Sequence, residues 1–352
     1  MTVPSFGMRP GSFPRALACL LLATLAACGS RPPSPAPVVP DATGTTTSAP
    51  PIRIGIALGG GAAKGFAHIG VIKMLEANGF APVVVAGTSA GSVVGALYAS
   101  GMNAFELQEK AVALDEARIR DLQLSSGGLV LGQKLEDYVN EQVRRKPLEQ
   151  LAKPFVAVAT RLEDGERTVF ARGNTGQAVR ASSSVPGVFQ PVTIGKYHYV
   201  DGGIVSPVPV DAARQLGADM VIAVDISNKA RGQTPGDMLG TLGQSIAIMG
   251  QKLGQAELAR ADVVIRPQVL DIGSADFSQR ANAILEGEKA ALAVMPQIRE
   301  RVAQLQAERA NAARAAQQKA AEAQYQTCLE KRSSLQKLAG MARLDDSCTA
   351  PK

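Results

Sequence analysis

The chain has 352 residues, 46% of them apolar, with 35 glycines and 21 prolines, which is the composition of a globular protein with room for one large α/β domain or two smaller ones. The formal net charge is +6, but basic and acidic residues are interspersed, and the aromatic residues amount to 9 Phe, 5 Tyr and no Trp. Nucleic-acid binding calls for a basic stripe with stacking aromatic side chains, so we expect no nucleic-acid partner and favour a mildly positive surface near anionic lipid.

The first 27 residues are typical of a secretory signal. Arg9 and Arg15 precede an apolar run, Ala16 to Ala27, that is too short to span a bilayer. The run ends in Leu25-Ala26-Ala27-Cys28, which resembles the lipobox of bacterial lipoproteins and implies a lipidated Cys28. In such proteins Gly29-Ser30 carries no inner-membrane retention signal, so we expect an exported lipoprotein in the outer membrane, facing the periplasm. An ordinary signal peptide with a chance cysteine is the alternative.

A proline-rich tether follows, so that residues 28–51 are predicted to link the lipid to a folded domain at 52–295. There, short β-branched runs alternate with helical patterns, which predicts an α/β fold with a largely parallel sheet. The predicted strands are Ile52 to Leu58, Pro82 to Ala86, Phe155 to Thr160, Tyr197 to Val200, Met220 to Ile226 and Val263 to Arg266. The predicted helices are one ending at Ala77, Ala90 to Ala99, Gly132 to Val143, Asp211 to Leu216, Leu239 to Ala259 and Asn282 to Val294.

Residues 296–352 are predicted to form an Ala/Gln-rich helix, mostly solvated and reaching about Cys328, followed by a tail. A partner-binding coiled coil is the alternative for this helix, although its apolar seam, Ile298, Val302 and Leu305, is short. After processing, Cys328 and Cys348 are the remaining cysteines. An oxidising compartment favours a disulfide between them, and two unpaired thiols are the alternative.

The strongest catalytic motif is Gly87-Thr88-Ser89-Ala90-Gly91, which fits G-x-S-x-G between an apolar strand and a helix. In that context a sharp turn exposes the serine oxygen, and Ser89 is the candidate nucleophile. The alternative role for Ser89 is a helix N-cap.

A glycine-rich turn, Gly59 to Gly65, joins the first predicted strand to the next helix. Such a turn presents free backbone N–H groups to a phosphate or an oxyanion. A Walker A loop is excluded because Phe66 follows Gly65, and a dinucleotide site lacks the acidic residue at the end of the second strand. An oxyanion hole remains, with the N–H of Ala90 as its second donor. Lys64 opposes the helix dipole, so it either orients the loop or meets an anionic substrate, or it extends into solvent.

The base must then be identified, and a Ser-His-Asp triad is improbable because the chain has only His68 and His198. Both histidines fit structural hydrogen-bonding roles better. Asp201, followed by two glycines, is the predicted base, because partial burial would raise its pKa. Asp225 is the competing carboxylate. No cofactor and no metal site are predicted.

Together, the glycine-rich loop, the Ser89 motif and Asp201-Gly202-Gly203 resemble the patatin-like phospholipase family over about residues 52–295. Phe66 to Val71, Ala181 to Phe189 and Ala261 to Pro267 also look like its bacterial members. The resemblance implies a three-layer fold with a central, mostly parallel sheet flanked by helices, and lipid acyl ester hydrolysis by a Ser-Asp dyad.

Carried over by position, the resemblance implies Ser89 as nucleophile, Asp201 as base and Gly60, Gly61 and Ala62 as oxyanion loop, with phospholipid or lysophospholipid as substrate. The family usually has a third glycine where Ala62 stands. If that position needs positive φ, the alanine strains the loop, or the register shifts to Gly59 to Gly61. A catalytically weak lipid-binding or scaffolding lipoprotein and an acyltransferase are the alternative functions.

Overall fold

The computed structural model describes residues 50–119, 121–125, 128–227, 229 and 236–339, together with Cys348 and Ala350. They belong to one compact unit that begins at Ala49. The predicted signal segment, the predicted lipidation site Cys28 and the predicted tether up to residue 49 lie outside the described residues.

A mixed eight-stranded sheet forms the centre of the molecule. Its strands are β1 (Ile54–Leu58), β2 (Val84–Thr88), β5 (Phe155–Arg161), β6 (Arg167–Phe170), β7 (Val192–Ile194), β8 (Tyr197–Asp201), β9 (Met220–Val224) and β10 (Val263–Ile265). The order is β10-β9-β1-β2-β5-β8-β7, and β6 pairs with β5. The five strands from β10 to β5 are parallel, whereas β6, β7 and β8 join antiparallel. Two further strands, β3 (Leu122–Ser125) and β4 (Gly128–Val130), form a separate antiparallel pair.

Eight α-helices accompany the strands in the described part of the chain. They are α1 (Ala67–Ala77), α2 (Ala90–Ala99), α3 (Ala104–Val112), α4 (Gln133–Gln142), α5 (Thr175–Ser182), α6 (Val210–Gln215), α7 (Met238–Leu258) and α8 (Arg280–Ala339). A short 3-10 helix, Ala62–Phe66, leads into α1. The predicted helices and strands are therefore present with shifted ends, and α3, α5, β6, β7 and the β3–β4 pair are additions.

The core lies on both faces of the sheet, which gives three layers. Along β1, Ile56 and Leu58 point into the larger cluster with α1, α2 and the start of α8, whereas Ala57 points into a smaller cluster with α6 and the end of α7. Both faces are covered, so the strands are uniformly apolar and buried rather than alternating.

Helix α8 corrects the predicted break at Pro296, because it continues through that proline as one helix of 60 residues. A proline inside a helix costs about 3 kcal/mol. In α8, tertiary packing offsets this cost, because Met295 and Ile298, on either side of the proline, are buried. Val302 and Leu305 pack on the same core, so the predicted partner-binding seam is occupied by the chain itself. No described helix has the length and apolar character needed to cross a membrane.

Candidate active site

The Ser89 turn is strained in the way a nucleophile elbow requires. Ser89 joins β2 to α2 with φ 54° and ψ −126°, a conformation that side-chain-bearing residues rarely adopt, and it makes no capping bond with its side chain. Ser89 does stand at the N-cap position of α2, as the alternative predicted, but its hydroxyl does not cap the helix. The turn fits only because Gly91 has no side chain, since a Cβ there would lie 2.1 Å from the Leu58 carbonyl oxygen.

The sheet register brings Asp201 to the level of Ser89. Thr88 at the end of β2 pairs with Val158 of β5, and Asp201 at the end of β8 pairs with the next residue, Ala159. The two residues thus flank β5, two strand spacings or about 10 Å apart between backbones, within reach of side chains that point to one face. The Ser89 hydroxyl is in fact near enough to the Asp201 carboxylate to lower its pKa.

Burial dominates the electrostatics of Asp201. It raises the pKa of the carboxyl group from 3.8 to about 6, against the lowering effect of Ser89 and of the Gly203 N–H. The Gly203 N–H donates to Oδ1 at 2.7 Å. The second oxygen, Oδ2, is buried and has no hydrogen bond of regular geometry. Oδ2 is therefore available to receive a proton. The missing bond does not argue against a catalytic contact with Ser89, because catalytic hydrogen bonds are often long in a site without substrate.

The glycine-rich loop lies directly against the nucleophile. A Cβ on Gly60 would be 3.1 Å from the Ser89 Cβ and 3.9 Å from its Oγ, so glycine is what allows this approach. Ala62 adopts φ 53°. This is the left-handed conformation that strains an alanine by about 1 to 2 kcal/mol.

The hydrogen bonds of the loop correct the predicted donor set. The Gly59 N–H donates to the Val224 oxygen and the Gly60 N–H to the Pro207 oxygen, both at 3.0 Å. Both amides are therefore occupied in this conformation, and, contrary to the prediction, Gly60 is not an oxyanion donor. The alternative register, Gly59 to Gly61, would lose two of its three donors. In the part of the chain described, the N–H groups of Gly61, Ala62 and Ala90 donate no hydrogen bond.

Ser182 is a site residue that the sequence analysis missed. Its Oγ accepts the Ser89 N–H at 3.0 Å and donates to the Val158 oxygen at 2.6 Å. The Ser89 amide is therefore occupied, which leaves the Ala90 amide as the donor next to the nucleophile. Ser182 falls within the segment Ala181 to Phe189, which already pointed to the family, although nothing in it marked this serine.

The two histidines do not serve as a base. His68 is fully buried, which lowers its pKa to about 4, and its Nε2 donates to the Gly59 oxygen at 2.8 Å. His198 is half exposed and its Nδ1 contacts Glu163 at 2.8 Å. His68 therefore has a structural role, because its hydrogen bond to Gly59 holds the glycine-rich loop.

Two other predicted residues have defined surroundings. Asp225 accepts from the Ser227 N–H and hydroxyl and lies 3.6 Å from Arg266, so its carboxylate is occupied. Lys64 is only 2% exposed, so the alternative that it extends into solvent is wrong. Elsewhere, Cys328 and Cys348 are joined in a disulfide. Within the described ranges, no group of three or more His, Cys, Asp or Glu is arranged to hold a metal ion.

Part of the chain is similar to proteins of a known family. Residues 56–214 match the family model of patatin-like phospholipases. The chain is 37% identical over 182 residues to an uncharacterized NTE family protein of Mycobacterium bovis, covering 51% of each. It is 32% identical over 184 residues to human patatin-like phospholipase domain-containing protein 6, covering 50% of this chain and 13% of that one. It is 30% identical over 181 residues to lysophospholipase NTE1 of Pyricularia oryzae, covering 50% of this chain and 12% of that one.

The chain therefore spans about half the length of the mycobacterial relative and a small part of the others. Among solved structures, VipD from Legionella pneumophila is similar at 16% identity and a TM-score of 0.48, covering 74% of this chain and 68% of that one. That structural likeness is too loose to carry an argument. The matched region contains Ser89, Asp201 and the glycine-rich loop, and this part of the chain is a patatin-like phospholipase domain.

Proposed function

We propose that this chain is a serine lipid acyl hydrolase that works through a Ser89–Asp201 dyad. The observation that carries the proposal is a strained serine whose hydroxyl meets a buried carboxylate of raised pKa, beside amides that donate to no other described residue. No histidine is needed, because the desolvated carboxylate is basic enough to accept the proton as the serine oxygen attacks.

The reaction has two halves. Ser89 Oγ attacks the ester carbonyl carbon while its proton moves to Asp201, and the N–H groups of Gly61, Ala62 and Ala90 stabilise the oxyanion. The intermediate collapses with cleavage of the ester bond, and the departing alcohol takes the proton from Asp201. Water then gives a proton to Asp201 and attacks the acyl-serine, releasing the fatty acid and returning the proton to Ser89.

A lipid substrate is supported by two features. The relatives include a protein named a lysophospholipase. In addition, α7 carries exposed apolar side chains, Met238, Leu242, Met249 and Leu253, while Gly250 on another face lies against the Gly203 oxygen, two residues from Asp201. Phospholipid or lysophospholipid esters are therefore the proposed substrates.

A fluorophosphonate probe, which reacts with activated serines, tests the proposal. We expect the wild-type chain to be labelled and Ser89→Ala to remain unlabelled, while Ser333→Ala, at an exposed position of α8, keeps its label. Incubation with a mixed lipid extract, followed by mass spectrometry, would identify the ester consumed. A folded wild-type protein that resists the probe and consumes no lipid would contradict the proposal.

A second candidate function is a catalytically weak lipid-binding or scaffolding lipoprotein. One observation favours it, namely the strained alanine at position 62 in the oxyanion loop. An acyltransferase, which passes the acyl group to an acceptor other than water, is the third candidate. Product analysis with and without added alcohols distinguishes transfer from hydrolysis.

Attachment to the outer membrane through a lipid on Cys28 is also part of the proposal. It rests on the signal-like segment and the residues before Cys28. Cys28→Ala should abolish incorporation of radiolabelled palmitate and move the protein from the membrane to the soluble fraction. Binding of a protein partner to the exposed part of α8 stays a prediction, to be tested by cross-linking with and without residues 311–352.

A further inference from the structure

Glu257 is a buried carboxylate that the proposed mechanism does not use. It lies near the end of α7 and is only 5% exposed. Burial raises its pKa, and hydrogen bonds from Ser206 and Val208 oppose that effect. Burying a carboxylate is costly unless hydrogen bonds compensate, so its contacts are informative.

Both oxygens of Glu257 bind one short segment, Ser206-Pro207-Val208. The Ser206 hydroxyl donates to Oε1 at 2.5 Å, and the Val208 N–H donates to Oε2 at 2.9 Å. The carboxylate therefore fixes the segment at both ends, around a proline that has no N–H of its own.

The same segment holds the three parts of the catalytic site. The Ser206 carbonyl accepts the Thr88 hydroxyl at 2.8 Å, next to the nucleophile. The Pro207 carbonyl accepts the Gly60 N–H at 3.0 Å, in the oxyanion loop. The Ser206 N–H donates to the Gly202 oxygen at 2.8 Å, next to the base.

We propose that Glu257 is a positioning residue that sets the relative placement of nucleophile, base and oxyanion donors by fixing residues 206–208. The proposal rests on the hydrolase function proposed above. Its physical basis is that all three connections pass through backbone carbonyl or amide groups of one segment, so a small displacement of that segment moves all three at once. Displacements of about 1 Å cost up to about 100-fold in rate even when they originate away from the chemistry.

Three variants test the proposal in the full chain. Glu257→Ala removes both acceptors, whereas Glu257→Gln is the conservative variant, because its amide oxygen can accept the Val208 N–H while its NH2 group donates to the Ser206 hydroxyl oxygen. Gln255→Ala is the matched control, because its side chain is exposed on the same helix two residues away. We expect kcat on a soluble short-chain ester and the fluorophosphonate labelling rate to fall about 10- to 100-fold in Glu257→Ala, with KM changed by less than about threefold, and to be largely restored in Glu257→Gln. The control should match wild type.

Amide hydrogen exchange provides a readout that does not depend on activity. In Glu257→Ala, peptides containing residues 59–65 and peptides containing residues 202–208 should both exchange faster, whereas peptides of α1 remain protected. A purely structural role would lower the melting temperature but leave kcat of the folded protein unchanged, and that result would overturn the proposal. So would faster exchange confined to residues 202–208.

Failure of the hydrolase proposal is distinguishable from failure of this one. If the wild-type chain neither labels nor hydrolyses esters, the enzyme assignment fails. Amide hydrogen exchange at residues 59–65 of Glu257→Ala then still decides whether Glu257 fixes the oxyanion loop. Faster exchange than in wild type supports this role, and unchanged exchange refutes it.

Discussion

At the scale of single residues, the site depends on two groups kept in unfavourable states. Ser89 occupies a strained backbone conformation, and Asp201 is a carboxyl group removed from water. Both costs are met by the surrounding structure, and in the proposed mechanism both would favour reaction, the first by exposing the oxygen and the second by making the carboxylate more basic.

Replacing Asp201 should therefore make the protein more stable and less active. The pKa of Asp201 is about 6 in the fold and near 3.8 when unfolded, so ionisation at neutral pH opposes folding by up to about 3 kcal/mol. Asp201→Asn removes that cost and keeps an acceptor for the Gly203 N–H. We expect higher stability in urea at pH 8 and labelling slower by about 10²- to 10⁴-fold.

The sign of the pH dependence provides the control for this prediction. Because the folded pKa is the raised one, the stability difference between Asp201→Asn and wild type should be small below about pH 4 and grow through about pH 6. The wild-type labelling rate should rise over the same range, as the carboxylate forms. A stability difference that is the same at pH 4 and pH 8 would contradict the burial argument.

Ala62 offers a second test at this scale. Glycine adopts positive φ without strain, so Ala62→Gly should stabilise the fold by about 1 kcal/mol and raise the labelling rate. The adjacent Ala63 is buried and is not among the residues with positive φ. Ala63→Gly should therefore destabilise by a similar amount, and equal signs for the two variants in thermal unfolding would refute the strain argument.

At the scale of elements, α7 has two distinct faces. The spacing of Met238, Leu242, Met249 and Leu253 aligns them on one exposed stripe, and from Met238 to Gln251 the helix contains no charged residue. Asp237 caps the helix through the Gly240 N–H. Gly250, Gly254 and Glu257 form the buried face, which packs on the segment after Asp201. The helix thus links an apolar surface to the catalytic segment.

The stripe should matter for aggregated lipid and not for soluble ester. Met249→Gln combined with Leu253→Gln removes apolar contact worth about 1 kcal/mol or more in a bilayer, so hydrolysis of phosphatidylcholine vesicles should fall about tenfold. Hydrolysis of a soluble short-chain ester should be unchanged. Leu285→Gln with Leu292→Gln, which are also exposed but lie on α8, is the control and should affect neither substrate. Equal loss on both substrates would point to misfolding.

At the scale of the whole molecule, the catalytic unit and the end of α8 are separable. The start of α8 packs on α1, whereas residues 311–320 are fully exposed and the disulfide Cys328–Cys348 lies beyond them.

Opening that disulfide should therefore leave the catalytic unit unchanged. We expect Cys328→Ser with Cys348→Ser to keep the labelling rate within about twofold of wild type, because local changes in a solvated helix end do not reach the core. Hydrogen exchange should increase only after about residue 320. A large loss of labelling would indicate that the tail contacts the catalytic unit.

The sequence by itself determined much of this protein. β-branched runs and helical periods identified strands β1, β2, β5, β8, β9 and β10, because those patterns follow from burial on one or both faces. The Gly-Thr-Ser-Ala-Gly motif identified Ser89, because few contexts other than a tight strand-to-helix turn need glycine on both sides. Asn103 and Glu106 form a capping box, and their spacing of three residues is a sequence signal for the start of α3.

Only the tertiary structure decided how these parts meet. The β5 register places Asp201 opposite Ser89 across more than a hundred residues of chain, which no local pattern encodes. Long-range hydrogen bonds decided which loop amides are occupied: the Gly60 N–H donates to Pro207, whereas the Gly61 and Ala62 N–H groups donate to no residue in the described part of the chain. Packing carried α8 through Pro296, and Glu257 acquired its contacts only when α7 folded onto residues 206–208. Local sequence specifies conformation, whereas burial and hydrogen-bond pairing between distant segments depend on the assembled fold.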